Sequence, residues 1–135
     1  MKLGIVIGEF HKKLAQSMLK AAKDEIVHGG HEVEEVIWVP GSYEAPLAMQ
    51  HILARDDIDA AVLLGYIELG ETLHGEVMGH VVHHAITDLS LKYQKPVGIG
   101  VIGPGATREQ AEKRKEAYAA KAAKAAITLA KRLKK

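Results

Sequence analysis

The predicted fold depends most on one stretch of the sequence, residues 60–77, which reads AAVLLGYIELGETLHGEV. Its apolar beginning at 60–64 predicts a buried strand, and the helical spacing that follows His74 predicts a helix. Between them, Gly65 and Gly70 allow a tight turn or the close approach of a ligand. Open α/β sheets bind their ligands where a strand passes through a loop into a helix, so we expect a binding site here.

Strand and helix patterns alternate along the whole chain. The strands are predicted at 3–7, 33–39, 60–67 and 96–102, and the helices at 12–28, 44–55, 74–93 and from 107 to the C-terminus. This alternation indicates a parallel sheet with helices on both faces. With right-handed crossovers, the predicted fold is an α/β, three-layer, flavodoxin-like sandwich with strand order 2-1-3-4. We expect a single domain over residues 1–135.

The segment before the last helix combines a turn signal with a helix-start signal. Gly103-Pro104-Gly105-Ala106 predicts a turn cluster after the fourth strand. Thr107 is a plausible N-cap, and Gln110 stands at capping-box spacing from it. The helix that follows is rich in Ala and Lys, which both favour helix formation.

Composition excludes several classes of function. The 135 residues are 47% hydrophobic and 26% charged, and a formal net charge of +1 gives no electrostatic case for nucleic acid or acidic membranes. Without cysteine there is no disulfide, thiolate nucleophile or Cys-based metal site. No apolar stretch approaches the roughly 18 residues of a membrane span. No secretory signal precedes the first strand, so we expect a cytoplasmic protein.

The loops at one edge of the predicted sheet carry several residues that admit two interpretations each. Phe10, the only Phe in the chain, could cover the core or offer a platform for a flat ring. Glu44 and Glu71 stand near predicted helix starts, where a carboxylate complements the helix dipole without any further role. His74 could be a solvent-exposed side chain or a proton-transfer residue.

The histidines of the predicted third helix could be solvent-exposed side chains or ligands of a metal ion. His80 and His84 have a spacing that suits a metal ion, and His83 lies on the same helix. However, no HExxH pattern accompanies them. We therefore expect no metal at this helix.

Three ordered motifs identify a family. PGSYEAP at 40–46, GETLH at 70–74 and EQAEKR at 109–114 occur in the order and spacing typical of 6,7-dimethyl-8-ribityllumazine synthases, whose usual signatures are PGxxExP, GETxH and EQAxxR. The resemblance extends from the first strand to the last helix. In length and in the GPG turn before EQA, the chain looks most like the short archaeal members.

The resemblance implies a transferase of riboflavin biosynthesis. Members of the family condense 5-amino-6-(D-ribitylamino)uracil with (S)-3,4-dihydroxy-2-butanone 4-phosphate to form 6,7-dimethyl-8-ribityllumazine, and they use no metal or redox cofactor. The expected partners are therefore two small-molecule substrates and further copies of the chain. The family forms pentamers, some of which pack into icosahedral capsids of 60 subunits, with active sites between neighbours.

The resemblance also assigns roles to individual residues. His74 would transfer protons, supported by Glu76. The residues expected to bind the ribitylaminouracil are Phe10, Ser42, Tyr43, Glu44, Tyr66, Ile67, Glu68 and, from a neighbouring subunit, Ile99. The residues expected to hold the butanone phosphate are Glu71, Thr72 and the neighbour's Arg114, with Lys121 and Lys124 as the nearest candidates for an assisting lysine.

Several positions differ from the usual family pattern. His11 stands where Asn is usual, Glu68 where Ile or Val is common, and Ile99 where Phe is frequent. These differences leave open a second hypothesis, a catalytically weakened or engineered shell or scaffold protein on the same fold. An archaeal-type riboflavin synthase is a third hypothesis, which GETLH and EQAEKR disfavour. A generic nucleotide binder is a fourth, which the lack of GxGxxG and of GxxxxGK[ST] disfavours.

Overall fold

Four strands and four helices alternate along residues 1–134, the part of the chain that the computed structural model describes. A single 3₁₀ turn at Ser42–Glu44 precedes the second helix. The strands are β1 (Lys2–Gly8), β2 (Glu32–Val39), β3 (Ala60–Glu68) and β4 (Val97–Ala106). The helices are α1 (Lys12–His28), α2 (Ala45–Leu53), α3 (His74–Tyr93) and α4 (Arg108–Leu133).

The strands form one parallel sheet in the order β2-β1-β3-β4, which confirms the predicted topology. Alternate side chains of each central strand point to opposite faces. In β1, Leu3 and Ile5 pack in the core beneath α1 and α4, whereas Val6 packs in the core beneath α2 and α3. The predicted three-layer α/β sandwich is therefore confirmed.

Small residues let α4 approach the sheet closely. A β-carbon on Gly98 would overlap the carbonyl oxygen of Ala122, and one on Gly100 would lie 3.0 Å from the Ala122 side chain. The buried face of α4 here consists largely of alanines, among them Ala119 and Ala123. The Ala-rich composition of the last helix thus matches the glycines of β4 that it covers.

The fourth strand is longer than the sequence predicts. The turn signal expected at Gly103–Ala106 corresponds to a bulge within β4, because Ile102 pairs with Tyr66 and the next registered pair is Ala106 with Glu68. The Leu69 amide donates to the Ala106 carbonyl at 2.8 Å and holds this extension against the end of β3. Gly103 adopts a φ of +95° and passes against the Ile67 carbonyl, where a side chain would not fit.

Other local predictions differ only slightly from the structure. The helix expected at 44–55 begins at Ala45 and ends at Leu53, with the 3₁₀ turn in front of it. The capping box is confirmed, because the Gln110 amide donates to Thr107 Oγ1 and the Thr107 amide donates to Gln110 Oε1. Within residues 1–134, no helix has the length and apolarity needed to span a membrane.

The contact between β4 and α4 predicts unequal effects of two Gly→Ala substitutions. Gly98→Ala should lower the free energy of unfolding by about 1–3 kcal/mol, because the new methyl group must displace the α4 backbone. Gly65→Ala in β3 is the matched control, since a β-carbon there has no heavy atom within 4 Å outside its chain neighbours. Urea unfolding of both variants measures the difference, and equal stability losses would contradict the close packing of α4 on β4.

Candidate active site

A cleft opens where the paths of β1 and β3 separate. The ladder between these strands ends at the Ile7–Leu64 pair, whereas β3 continues to Glu68. The chain leaves β1 toward β2 on one side of the sheet and returns to β3 on the other, which makes this the topological switch point. The cleft has a volume of about 320 Å³.

Three loops bring predicted site residues to this cleft. The loops follow β1, β2 and β3, and they meet because all strands of a parallel sheet end at the same edge. The predicted residues that line the cleft are Phe10, Ser42, Tyr66, Ile67, Glu68, Thr72 and His74. Aromatic and polar side chains therefore converge in one concave space, as small-molecule sites require.

Phe10 forms an aromatic wall of the cleft. Its side chain is 50% exposed, which is unusual for a Phe whose role is to cover a core. The ring centroid lies 6.1 Å from that of Tyr66 at an interplanar angle of 39°. The Phe10 ring is therefore accessible from the cleft, and its role as a platform for a flat ring stays a prediction.

Tyr66 supports this wall from inside the fold. Its hydroxyl donates to the Ala106 carbonyl at 3.0 Å, and its side chain is only 3% exposed. Burial raises the pKa of Tyr66, and the nearby negative charge of Glu68 raises it further. The hydroxyl therefore stays protonated at neutral pH and keeps its hydrogen bond to the end of β4.

His74 is the first residue of α3 and is exposed to the cleft. Its backbone amide donates to Thr72 Oγ1 at 3.3 Å, so the GETLH motif orders its own helix start. The Tyr43 ring meets the His74 ring edge to face, with 6.3 Å between centroids. This arrangement leaves an imidazole beside the cleft, where it can exchange protons with a bound molecule.

The loop between β3 and α3 also borders a second depression. This depression, of about 450 Å³, is lined by Glu71, Glu76 and Pro104, while Thr72 and Glu68 line both spaces. Glu76 Oε1 lies 3.9 Å from His80 Nε2. Among the described residues, no hydrogen bond joins Glu76 to His74, and the support of His74 by Glu76 stays a prediction.

Glu44 and Tyr43 lie at the rim. Both are exposed in the 3₁₀ turn before α2, with Glu44 Oε1 3.2 Å from where a β-carbon on Gly41 would lie. Glycine at position 41 thus makes room for the carboxylate beside the loop of the PGSYEAP motif.

Two predicted residues lie away from the cleft of their own chain. Ile99 is 37% exposed on the edge strand β4, and Arg114 donates to the Gln110 carbonyl on the surface of α4. Lys121 and Lys124 are also exposed on α4. None of these side chains lines the cleft.

Sequence reasoning missed one contact beside the cleft. His11 Nε2 lies 2.9 Å from Glu68 Oε1, and His11 Nδ1 lies 2.8 Å from an Arg108 Nη. The first pair joins two positions at which the chain differs from the usual family pattern. That coincidence was the only available signal, because Arg108 stands 97 residues from His11 and belongs to no motif.

Histidine clusters of the kind that bind metals are not found in the described part of the chain. Within residues 1–134, no group of three or more His, Cys, Asp or Glu side chains could hold a metal ion. His84 pairs instead with Asp88 at 3.3 Å along α3.

Comparisons with known proteins identify the family of this chain. The family model described as 6,7-dimethyl-8-ribityllumazine synthase matches residues 1–134. The chain is 45% identical over 134 residues to the 6,7-dimethyl-8-ribityllumazine synthase of Metallosphaera sedula, covering 99% of this chain and 89% of the relative. It is 41% identical over 133 residues to the protein of that name from Methanococcus aeolicus, covering 98% and 97%. The resemblance seen in the motifs is confirmed, and the chain belongs to the 6,7-dimethyl-8-ribityllumazine synthase family.

Proposed function

We propose that this chain condenses 5-amino-6-(D-ribitylamino)uracil with (S)-3,4-dihydroxy-2-butanone 4-phosphate to form 6,7-dimethyl-8-ribityllumazine, releasing phosphate and water. The observation that carries this proposal is the meeting of Phe10, the end of β3 and His74 around one cleft. An aromatic platform, an open strand edge and an imidazole are what a ring-forming condensation of a pyrimidine needs. Family membership supplies the identity of the two substrates.

The pyrimidine would bind between Phe10 and the end of β3. Residues 65–68 of β3 extend past the last pair with β1, so backbone groups on that edge can bind the polar edge of the ring. Aromatic contact with Phe10 would hold its flat face. Ser42, Tyr43 and Glu44 would bind the ribityl hydroxyls at the rim.

The butanone phosphate would bind at the start of α3. First-turn amides of a helix attract anions, and Glu71 and Thr72 lead directly into that turn. Because the Glu71 carboxylate would repel a phosphate, Glu71 would contact the phosphate through its backbone amide. A neighbour's Arg114 would add a permanent positive charge and planar donors for the phosphate oxygens.

His74 would move protons in each chemical step. The substrate amine attacks the ketone and water leaves, giving a Schiff base. Phosphate is then eliminated, and the second amine closes the ring on the carbonyl so formed, with loss of a second water and the accompanying proton transfers. General acid–base catalysis by a positioned imidazole contributes roughly 10²- to 10⁴-fold. Binding both substrates beside each other contributes further through effective concentration.

A homo-oligomer would complete this site. Leu73, Val77 and Val81 recur at a spacing of four residues and are exposed by 71%, 52% and 51%, so α3 presents an apolar stripe suited to another copy. With Arg114 and Ile99 facing away from their own cleft, we propose a pentamer, alone or within a 60-subunit shell. We also propose that the protein is cytoplasmic, as the sequence predicts.

Replacement of His74 tests the proposed activity. With both substrates supplied, the wild type should form lumazine, detected by its absorbance and fluorescence. His74→Ala should lower kcat by roughly 10²-fold or more, because the proton-transfer group is lost. His28→Ala, at the far end of α1, is the matched control and should leave kcat unchanged. A correctly assembled wild type without lumazine formation would contradict the proposed function.

Replacement of Arg114 tests the phosphate site. Arg114→Ala should raise the KM for the butanone phosphate by roughly 10- to 100-fold, the value of a lost charge-assisted hydrogen bond. The KM for the pyrimidine should change far less. Arg132→Ala removes an equal charge from the far end of α4 and controls for net charge. Equal increases of both KM values in Arg114→Ala would argue against a phosphate contact.

A further inference from the structure

His11 stands behind the aromatic wall of the cleft rather than in it. Its ring centroid is 4.2 Å from that of Phe10, edge to face, and 5.4 Å from that of Tyr66. Phe10 and Tyr66 line the cleft, whereas His11 does not. The imidazole therefore contacts the residues that would touch a ligand without touching the ligand itself.

The hydrogen bonds of His11 fix its tautomer. A guanidinium group only donates hydrogen bonds, so His11 Nδ1 must accept from Arg108. The proton of the neutral ring is then on Nε2, which donates to Glu68 Oε1. A neutral imidazole in this tautomer satisfies both neighbours at once.

Arg108 is itself held firmly at the start of α4. The capping box of Thr107 and Gln110 orders the helix start, and Arg108 Nε donates to Glu112 Oε1 at 3.2 Å. The preceding Ala106 carbonyl accepts from the Leu69 amide and from the Tyr66 hydroxyl. Arg108 is therefore anchored where the end of β4 pairs with the end of β3, which is also where Glu68 lies.

The contact with Glu68 and Arg108 accompanies an uncommon backbone conformation at His11. At φ 53° and ψ 70°, His11 is in the left-handed region, which is uncommon for residues other than Gly, although Asn, Asp and His enter it more often than the rest. This conformation directly follows Phe10 and sets the path of the loop that carries it. Strained backbone of this kind persists where surrounding contacts hold it in place.

We propose that His11 is a positioning residue for Phe10, held by Glu68 and Arg108, and that this three-residue contact fixes the wall against which the pyrimidine packs. The inference rests on the proposed function, because the pyrimidine is the ring that Phe10 would contact. It assigns a joint role to two residues, His11 and Glu68, that differ from the usual family pattern.

Binding of 5-amino-6-(D-ribitylamino)uracil to the assembled protein, measured by calorimetry without the second substrate, is the first test. His11→Ala should weaken this binding about tenfold or more, since two hydrogen bonds that hold the wall are lost. His11→Asn should recover most of the affinity, because Asn tolerates the left-handed region and keeps a donor and an acceptor. Lys13→Ala, an exposed change on the first turn of α1, is the matched control and should bind like the wild type.

Steady-state kinetics with both substrates separate positioning from general damage. In His11→Ala, the KM for the pyrimidine should rise about tenfold while the KM for the butanone phosphate stays within about twofold. Should that variant not assemble, Arg108→Ala serves instead, because Arg108 is exposed and lies outside the cleft. Its smaller effect should have the same selectivity for the pyrimidine.

Nuclear magnetic resonance of ¹⁵N-histidine-labelled protein gives a readout independent of substrates. His11 should show the Nε2–H tautomer in the wild type and lose that preference in Arg108→Ala. An Nδ1–H tautomer in the wild type would overturn the proposal, as would unchanged pyrimidine binding in His11→Ala or equal losses for both substrates. Pyrimidine binding without turnover would contradict the proposed function alone, and the comparison of His11 variants would still decide the role of His11.

Discussion

The gap between β1 and β3 is the constraint on which the site depends. Their parallel ladder stops at Ile7–Leu64, and the strand order forces the chain to leave β1 and reach β3 from opposite sides. Nothing in the sheet therefore covers the last residues of β3 on that edge. The loops after β1 and β2 and the start of α3 border the opening instead, which is why Phe10, Ser42 and His74 meet there although they are distant in sequence.

The opposite edge of β3 is paired with β4, and this pairing holds β3 rigid enough for its unpaired edge to bind a ligand. β4 follows β3 as far as Ala106, whose carbonyl accepts hydrogen bonds from Leu69 and Tyr66. The close packing of α4 on the glycines of β4 holds this strand in place. A rigid strand end next to a solvent-accessible cleft is the arrangement that lets backbone groups bind a ligand in a defined orientation.

The sequence predicted the fold well because the relevant signals are local. Strand and helix periodicities, the strand order and the Thr107–Gln110 capping box all follow from neighbouring residues and general rules of chain connection. The return of β4 to its pairing at Ala106 was missed because it depends on long-range backbone hydrogen bonds, which the local Gly-Pro-Gly signal does not specify. The contact of His11 with Arg108 spans 97 residues and has no sequence pattern. The approach of Glu76 Oε1 to His80 Nε2 depends on side-chain conformations that spacing does not specify.

Complementation between two defective variants tests most directly whether neighbouring copies share the site. His74→Ala and Arg114→Ala would each be assayed alone and after co-assembly in equal amounts, at a butanone phosphate concentration well below the KM of Arg114→Ala. If each site takes His74 from one copy and Arg114 from its neighbour, random mixing restores about one quarter of the sites, the product of two halves. We predict that the mixture regains this fraction of wild-type lumazine formation. A mixture no more active than the average of the two variants assayed alone would contradict a shared site.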